Sequence, residues 1–182
     1  MGMERNTLWI GSGLLLAAVA AAVLSGCGGA PPPTPEGWKR YEFDEQKCSL
    51  AAPSGWTHQD AGMAQVLLSP SDATAFRENV NVVREKLPSS LSASVYRDKS
   101  LQSMQAMLPG YEQLDTGETR LGGREAAYIA YRHRMGGQDL RVLAFLVTRG
   151  TSGYVVTCTA TGESFDRYED TFRKIADTFH AK

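Results

Sequence analysis

Glycines recur in the second half of the chain every 14 residues: Gly122-Gly123, Gly136-Gly137, and Gly150-Thr151-Ser152-Gly153. Paired glycines supply, at no steric cost, the positive φ that a tight hairpin turn needs. Between the turns lie Glu112–Leu121, Arg124–Arg134, Asp139–Arg149 and Tyr154–Thr161, all rich in β-forming residues. Evenly spaced turns join strands of similar length in sequence order, so these segments read as a four-stranded antiparallel meander. Ala127, Ile129 and Tyr131 point one way, Tyr128 and Ala130 the other. Leu140, Val142, Ala144 and Leu146 alternate with Leu143, Phe145 and Val147. Both faces are apolar, and each requires a cover.

Two helices are available as covers. After Pro88, Ser89 or Ser90 caps a helix from Leu91 to about Met107, stopped by Pro109-Gly110. Leu91, Ser94, Leu101, Met104 and Leu108 share one side of it. The second helix runs from Ser164 or Asp166 to about Phe179, with Asp166 and Glu169 spaced as a capping box. Phe165, Tyr168, Phe172, Ile175, Ala176 and Phe179 form its apolar stripe, a core signature. Upstream, Lys39–Phe43, Cys48–Ala51, Ala64–Leu68 and Asn79–Val83 read as short strands. Pro53-Ser54-Gly55-Trp56 turns the chain between them, and Trp56 folds back as an apolar cover. The expected class is α+β: an antiparallel sheet of about six to eight strands, with a C-terminal meander and helices on both faces.

The amino terminus carries a different message. Leu14 to Leu24 is an unbroken run of Leu, Ala and Val. At 11 residues it is shorter than the ~20 a spanning helix needs, and it matches the core of a secretory signal. Leu24-Ser25-Gly26-Cys27 follows and resembles the lipobox of bacterial lipoproteins, which implies cleavage before Cys27 and acylation of its thiol and amine. The alternative is a secreted protein with a chance cysteine at the cleavage site. Stable anchoring takes more than one acyl chain, because one binds only marginally. Gly28, rather than Asp, fits the pattern for outer-membrane sorting in a Gram-negative host, facing the periplasm. Residues 1–26 are therefore read as a signal peptide and 27–37 as a lipidated, Pro/Gly-rich tether. The domain occupies 38–182. Pro31-Pro32-Pro33 and Pro35 favour extended polyproline, so this tether spans at most roughly 30 Å.

One Arg and one Glu leave with the leader, so the mature chain keeps the net charge of −1. That balance argues against nucleic acid as a partner. His58, His133 and His180 are scattered, and no phosphate loop, dinucleotide fingerprint or Gly-x-Ser-x-Gly occurs. No metal, cofactor or catalytic residue is expected; Ser152 reads as a turn residue.

The order of elements resembles the DcrB family within the PsbP-like fold, over about residues 38–180. The likeness is carried by Cys48-Ser49-Leu50-Ala51-Ala52-Pro53-Ser54-Gly55-Trp56, Asn79-Val80-Asn81-Val82 and Leu108-Pro109-Gly110. Leu121-Gly122-Gly123-Arg124-Glu125-Ala126, Tyr154-Val155-Val156-Thr157 and Ile175-Ala176-Asp177-Thr178-Phe179 complete it. The resemblance implies an α/β/α sandwich and non-enzymatic roles: envelope lipoproteins, photosystem accessory subunits, secretion chaperones. The export signal sets this chain apart from the chaperones.

Two further sites are open at this stage. With Cys27 acylated, Cys48 and Cys158 remain as a pair, either bridged or as two buried thiols. Cys48 stands where the family more often has an apolar residue. Arg132 and Arg141 fall opposite each other if Gly136-Gly137 is a two-residue turn, and opposed like charges require anions. They either form an anion patch with Arg134 or Arg149, or make a solvated sheet end partnered by Asp139 and water. The expected function is a membrane-tethered, non-catalytic module for another envelope protein. The alternative is a small-ligand receptor or hydrolase using a pocket between meander and helix.

Overall fold

A computed structural model describes residues 29–70 and 76–182. The leader and Cys27 lie outside the described residues. Seven strands form one antiparallel sheet: β3 (Thr57–Asp60), β4 (Ala64–Leu68), β5 (Asn79–Lys86), β6 (Glu112–Leu121), β7 (Arg124–Met135), β8 (Gln138–Arg149) and β9 (Ser152–Thr161). Their spatial order is β3-β4-β5-β9-β8-β7-β6. The last four are the expected meander, with each glycine turn where its spacing places it. β1 (Trp38–Phe43), β2 (Cys48–Pro53) and β10 (His180–Ala181) form a second, three-stranded sheet in the order β1-β2-β10.

The faces of the large sheet are covered unequally. Helix α1 (Ala93–Met107) lies over Ile129, Tyr131, Val142, Ala144 and Leu146. Helix α2 (Phe165–Asp177) and the small sheet together cover Leu143, Phe145, Val147, Val156 and Cys158. The second cover is thus a helix beside a small sheet rather than a helix alone. Phe165, Phe172 and Phe179 are buried there, each contributing roughly 1.5–3 kcal/mol by leaving water. Trp56 does fold back, meeting Tyr168 and Phe172 with ring centroids 6.4 Å away in each case. Tyr41 Oη ties it down by donating to the Trp56 carbonyl at 2.7 Å.

Several local expectations are corrected. The N-cap of α1 is Ser92, not Ser89 or Ser90; its Oγ accepts from the Val95 N–H at 3.2 Å. Asp166 and Glu169 form no capping box: Ser164 is the α2 N-cap, without a side-chain cap bond, and Asp166 is engaged by Arg141. β3 and β10 escaped the sequence reading. All four β3 residues are exposed, so no apolar alternation marks it, and β10 has two residues. Cys48 and Cys158 are free thiols. Cys48 pairs with Ala181 in the small sheet, while Cys158 pairs with Val80 and Leu143 in the large one and faces the Phe172 carbonyl at 3.9 Å. Both thiols are buried in one apolar core, Cys48 on the small sheet and Cys158 on the large one.

The tether is also not a free spacer over its whole length. Arg40 Nη2 donates to the Pro32 carbonyl at 2.6 Å and Nε to Thr34 Oγ1 at 3.1 Å. Its Nη1 reaches Ser49 Oγ at 3.0 Å and the Thr178 carbonyl at 3.1 Å. One guanidinium therefore binds residues 32–34 to the small sheet and to the end of α2.

Candidate functional site

The meander's glycine turns alternate between two ends of the large sheet. Gly136-Gly137 marks one end, where the start of α2 and the end of α1 also arrive. There a cleft of about 740 Å³ opens, lined by Glu112, Arg132, His133, Arg134, Asp139 and Arg141 among others.

Arg132 and Arg141 are direct cross-strand partners, as the two-residue turn requires. Neither is left facing the other's charge. Arg132 Nη2 donates to Glu112 Oε1 at 2.9 Å, and Arg141 Nη1 to Asp166 Oδ1 at 2.6 Å. Arg134 Nε takes Asp139 Oδ1 at 2.8 Å. Arg141 also lies over the Phe165 ring, 4.4 Å from its centroid, so it is the best held of the three. Three guanidinium groups meet three carboxylates, and the cleft carries no net charge from them. Arg149 does not belong to this group. It lies eight residues from Arg141 along β8, about 27 Å at strand rise, and donates to the Ala181 carbonyl at 3.0 Å.

A bulge delivers Glu112. Counting back from Gly122-Gly123 in perfect register sets Glu112 against His133. The pairing instead shifts between Gln113 and Asp115, leaving Leu114 as the extra residue and bringing Glu112 opposite Arg132. That one-residue shift moves a carboxylate from one face of the sheet to the other. The sequence holds no glycine or proline to announce it, so neither Glu112 nor Leu114 was legible as a cleft residue.

His133 lies on the α1 face and is 9% exposed. Its ring is 5.8 Å from that of Tyr131, which is 5.3 Å from Tyr111. Burial pushes the Tyr131 hydroxyl up to about 12. Four buried polar atoms have no hydrogen-bond partner among the described residues: His133 Nδ1, Tyr111 Oη and Arg141 Nε, all at this end, and Gln46 Oε1. Exposed apolar side chains frame the cleft end: Leu114 at 40%, Met135 at 59%, and Met107 at 77% at the end of α1. The Arg134 N–H donates to the Pro109 carbonyl at 2.9 Å and holds the segment after α1 against β7.

Among the described residues, no three His, Cys, Asp or Glu side chains assemble as a metal-holding group. No described helix is long and apolar enough to cross a membrane. The cleft lining contains no Ser, Thr or Cys to serve as nucleophile.

An antiparallel sheet with α1 on one face, and α2 and a small sheet on the other, defines an α+β domain of the PsbP-like kind. The chain belongs to the DcrB family, whose model matches residues 48–178. The solved structures similar to it share the fold. Cyanobacterial PsbP (CyanoP) from Synechocystis sp. PCC 6803 is 20% identical with a TM-score of 0.59, covering 87% of this chain and 99% of that one. LpqN, described as involved in cell envelope biogenesis of Mycobacterium tuberculosis, is 16% identical with a TM-score of 0.55, over 72% and 81% of the two chains. The Saccharomyces cerevisiae Ran-binding protein Mog1p is 12% identical with a TM-score of 0.50, over 79% and 95%. No curated protein matches the chain.

Proposed function

We propose that this chain is a non-catalytic bacterial cell-envelope lipoprotein, held in the outer membrane through acylated Cys27, whose cleft end receives another envelope protein. The observation that carries this reading is the composition of that end. Leu114 and Met135 stand exposed beside arginines each paired with one of the chain's own carboxylates, an arrangement suited to contact rather than to chemistry. A neighbour of this fold associated with envelope biogenesis, and another that binds a protein, support an accessory role. Palmitate labelling with and without Cys27→Ala tests the anchor, and unchanged labelling overturns it. A photo-crosslinker at Met135 in intact cells should capture a protein partner that the same group at Lys174 does not.

A second reading is supported by the unpartnered His133 Nδ1 and Arg141 Nε: the cleft receives a small anionic ligand. Titration with inorganic phosphate, followed through the His133 imidazole resonances, tests it; a flat response removes this reading and leaves the first intact.

A further inference from the structure

Arg141 is the most firmly held cation of the cleft and the least completely used. Its contact with the Phe165 ring, 4.4 Å from the centroid, fixes the guanidinium. Its side chain is 35% exposed, against 57% for Arg132 and 75% for Arg134. Asp166 takes Nη1 alone. Among the described residues Nε is buried without a hydrogen-bond partner, and Nη2 has none either. Nε and Nη2 share one edge of the guanidinium, whose two parallel N–H groups match the two oxygens of a carboxylate. A buried donor left unmet is costly, so a group that meets it gains more than an ordinary surface contact gives.

The surroundings say which anion fits. Glu112, Asp139 and Asp166 balance the three arginines of the cleft and repel any second charge, which favours a single carboxylate over a phosphate. Helix α2 begins beside Arg141, and its N-cap Ser164 makes no side-chain cap bond, so the positive end of its dipole adds to the attraction. The apolar side chains of the lining are Leu114 and Leu140; the rest are glycine, charged residues and His133. That is room for one or two apolar side chains and not for a long acyl chain. His133 is nine-tenths buried, and its unpartnered Nδ1 offers a peptide group a hydrogen bond in the same cleft. A volume of about 740 Å³ encloses a ligand of drug size, hence a few residues of chain.

We infer that the partner protein enters the cleft by its carboxyl terminus. The terminal carboxylate grips the Nε–Nη2 edge of Arg141, and an apolar last residue rests on Leu114. Arg132, directly across from Arg141, adds a second positive charge, while Glu112 holds its Nη2. The inference rests on the reading of the cleft end as the contact for another envelope protein.

The test titrates acetyl-Ala-Leu-Leu with a free carboxyl end, and the same peptide amidated, into the isotope-labelled full chain. The Arg141 Nε–H and Leu114 methyl resonances are followed. The free acid should shift both saturably, and the amide should bind about tenfold more weakly or worse. Arg141→Lys keeps the charge and loses the fork, so it should weaken the acid by a similar factor. Arg134→Lys, whose Nε is already taken by Asp139, should change it by less than about twofold. Equal binding of acid and amide overturns the inference and needs no variant. Equal losses in the two variants overturn it as well, by placing the carboxylate elsewhere in the cleft. Hexanoate or inorganic phosphate binding as tightly as the peptide acid overturns it in favour of a lipid acid or a free anion. The crosslink at Met135 separates the two readings: a captured partner with no peptide binding ends this inference alone, whereas neither capture nor binding ends the envelope-contact reading with it.

Discussion

Arg132 and Arg141 face each other directly across β7 and β8, yet each guanidinium leaves the pair for a carboxylate on a different element, Glu112 of β6 and Asp166 of α2. The like-charge contact is thereby converted into two ion pairs that tie the edge strand and a helix to the same rung of the sheet. Exposed ion pairs are individually weak, and Glu112 and Asp166 are 57% and 79% exposed at the side chain. Glu112→Gln and Asp166→Asn should each cost less than about 1 kcal/mol. Together they should cost a few tenths of a kcal/mol more than the sum, because the two arginines then face each other unscreened. Urea denaturation of the four-member cycle checks this, and strict additivity would mean that the arginines do not sense each other.

Gly122 occupies a left-handed conformation, φ +55, against the backbone of the chain's end. A Cβ there would lie 1.9 Å from the Phe179 carbonyl oxygen. Gly136 has nearly the same φ, +59, but open space around it. Gly136→Ala should cost only the conformational strain, about 1 kcal/mol. Gly122→Ala adds a backbone clash and should cost at least about twice that. It should also loosen β10. Thermal melts of the two variants rank them, and equal losses would show that the Phe179 contact gives way freely.

How much of this was legible follows from which residues carry periodic signals. The meander was readable because three glycine turns and two-faced apolar alternation repeat the same statement. The α2 stripe was equally plain, with Phe165, Phe172, Ile175 and Ala176 all buried. The cleft was half readable: a two-residue turn fixes Arg132 against Arg141, but their carboxylates come through a bulge at Leu114 and through an Asp166 that also fits a capping pattern. Arg149 shares chemistry with the other arginines, but strand length alone separates it from them. Docking of the tether had no local signal, since Arg40 reaches Pro32 and Thr34 through tertiary geometry.

Cys48 and Cys158 give the structure a chemical test. The thiolate is the reactive form, and burial pushes the Cys48 thiol up to about 12. Complete burial raises Cys158 as well. At pH 8 the folded protein should therefore react with iodoacetamide only slowly at either position. In denaturant without reductant, mass spectrometry should find both cysteines alkylated. A requirement for reductant would show a bridge across the core between the two sheets and would overturn the assignment of both cysteines as free thiols.

His180 links pH to stability. Burial holds its imidazole below the ordinary 6.5; Arg124, Arg40 and Arg149 act in the same direction, and Glu42 opposes them. Above pH 6.5 the group is neutral in both the folded and the unfolded chain and costs nothing. As pH falls below 6.5, the unfolded chain takes up a proton that the folded chain resists, so stability declines until the lowered folded value is passed. The melting temperature of the wild type should therefore fall between about pH 6.5 and 5 more steeply than that of His180→Asn. Arg124→Gln should lessen the difference, because among the cations Arg124 opposes the proton most strongly. Identical pH profiles for wild type and His180→Asn would show that His180 takes up its proton as freely in the fold as outside it.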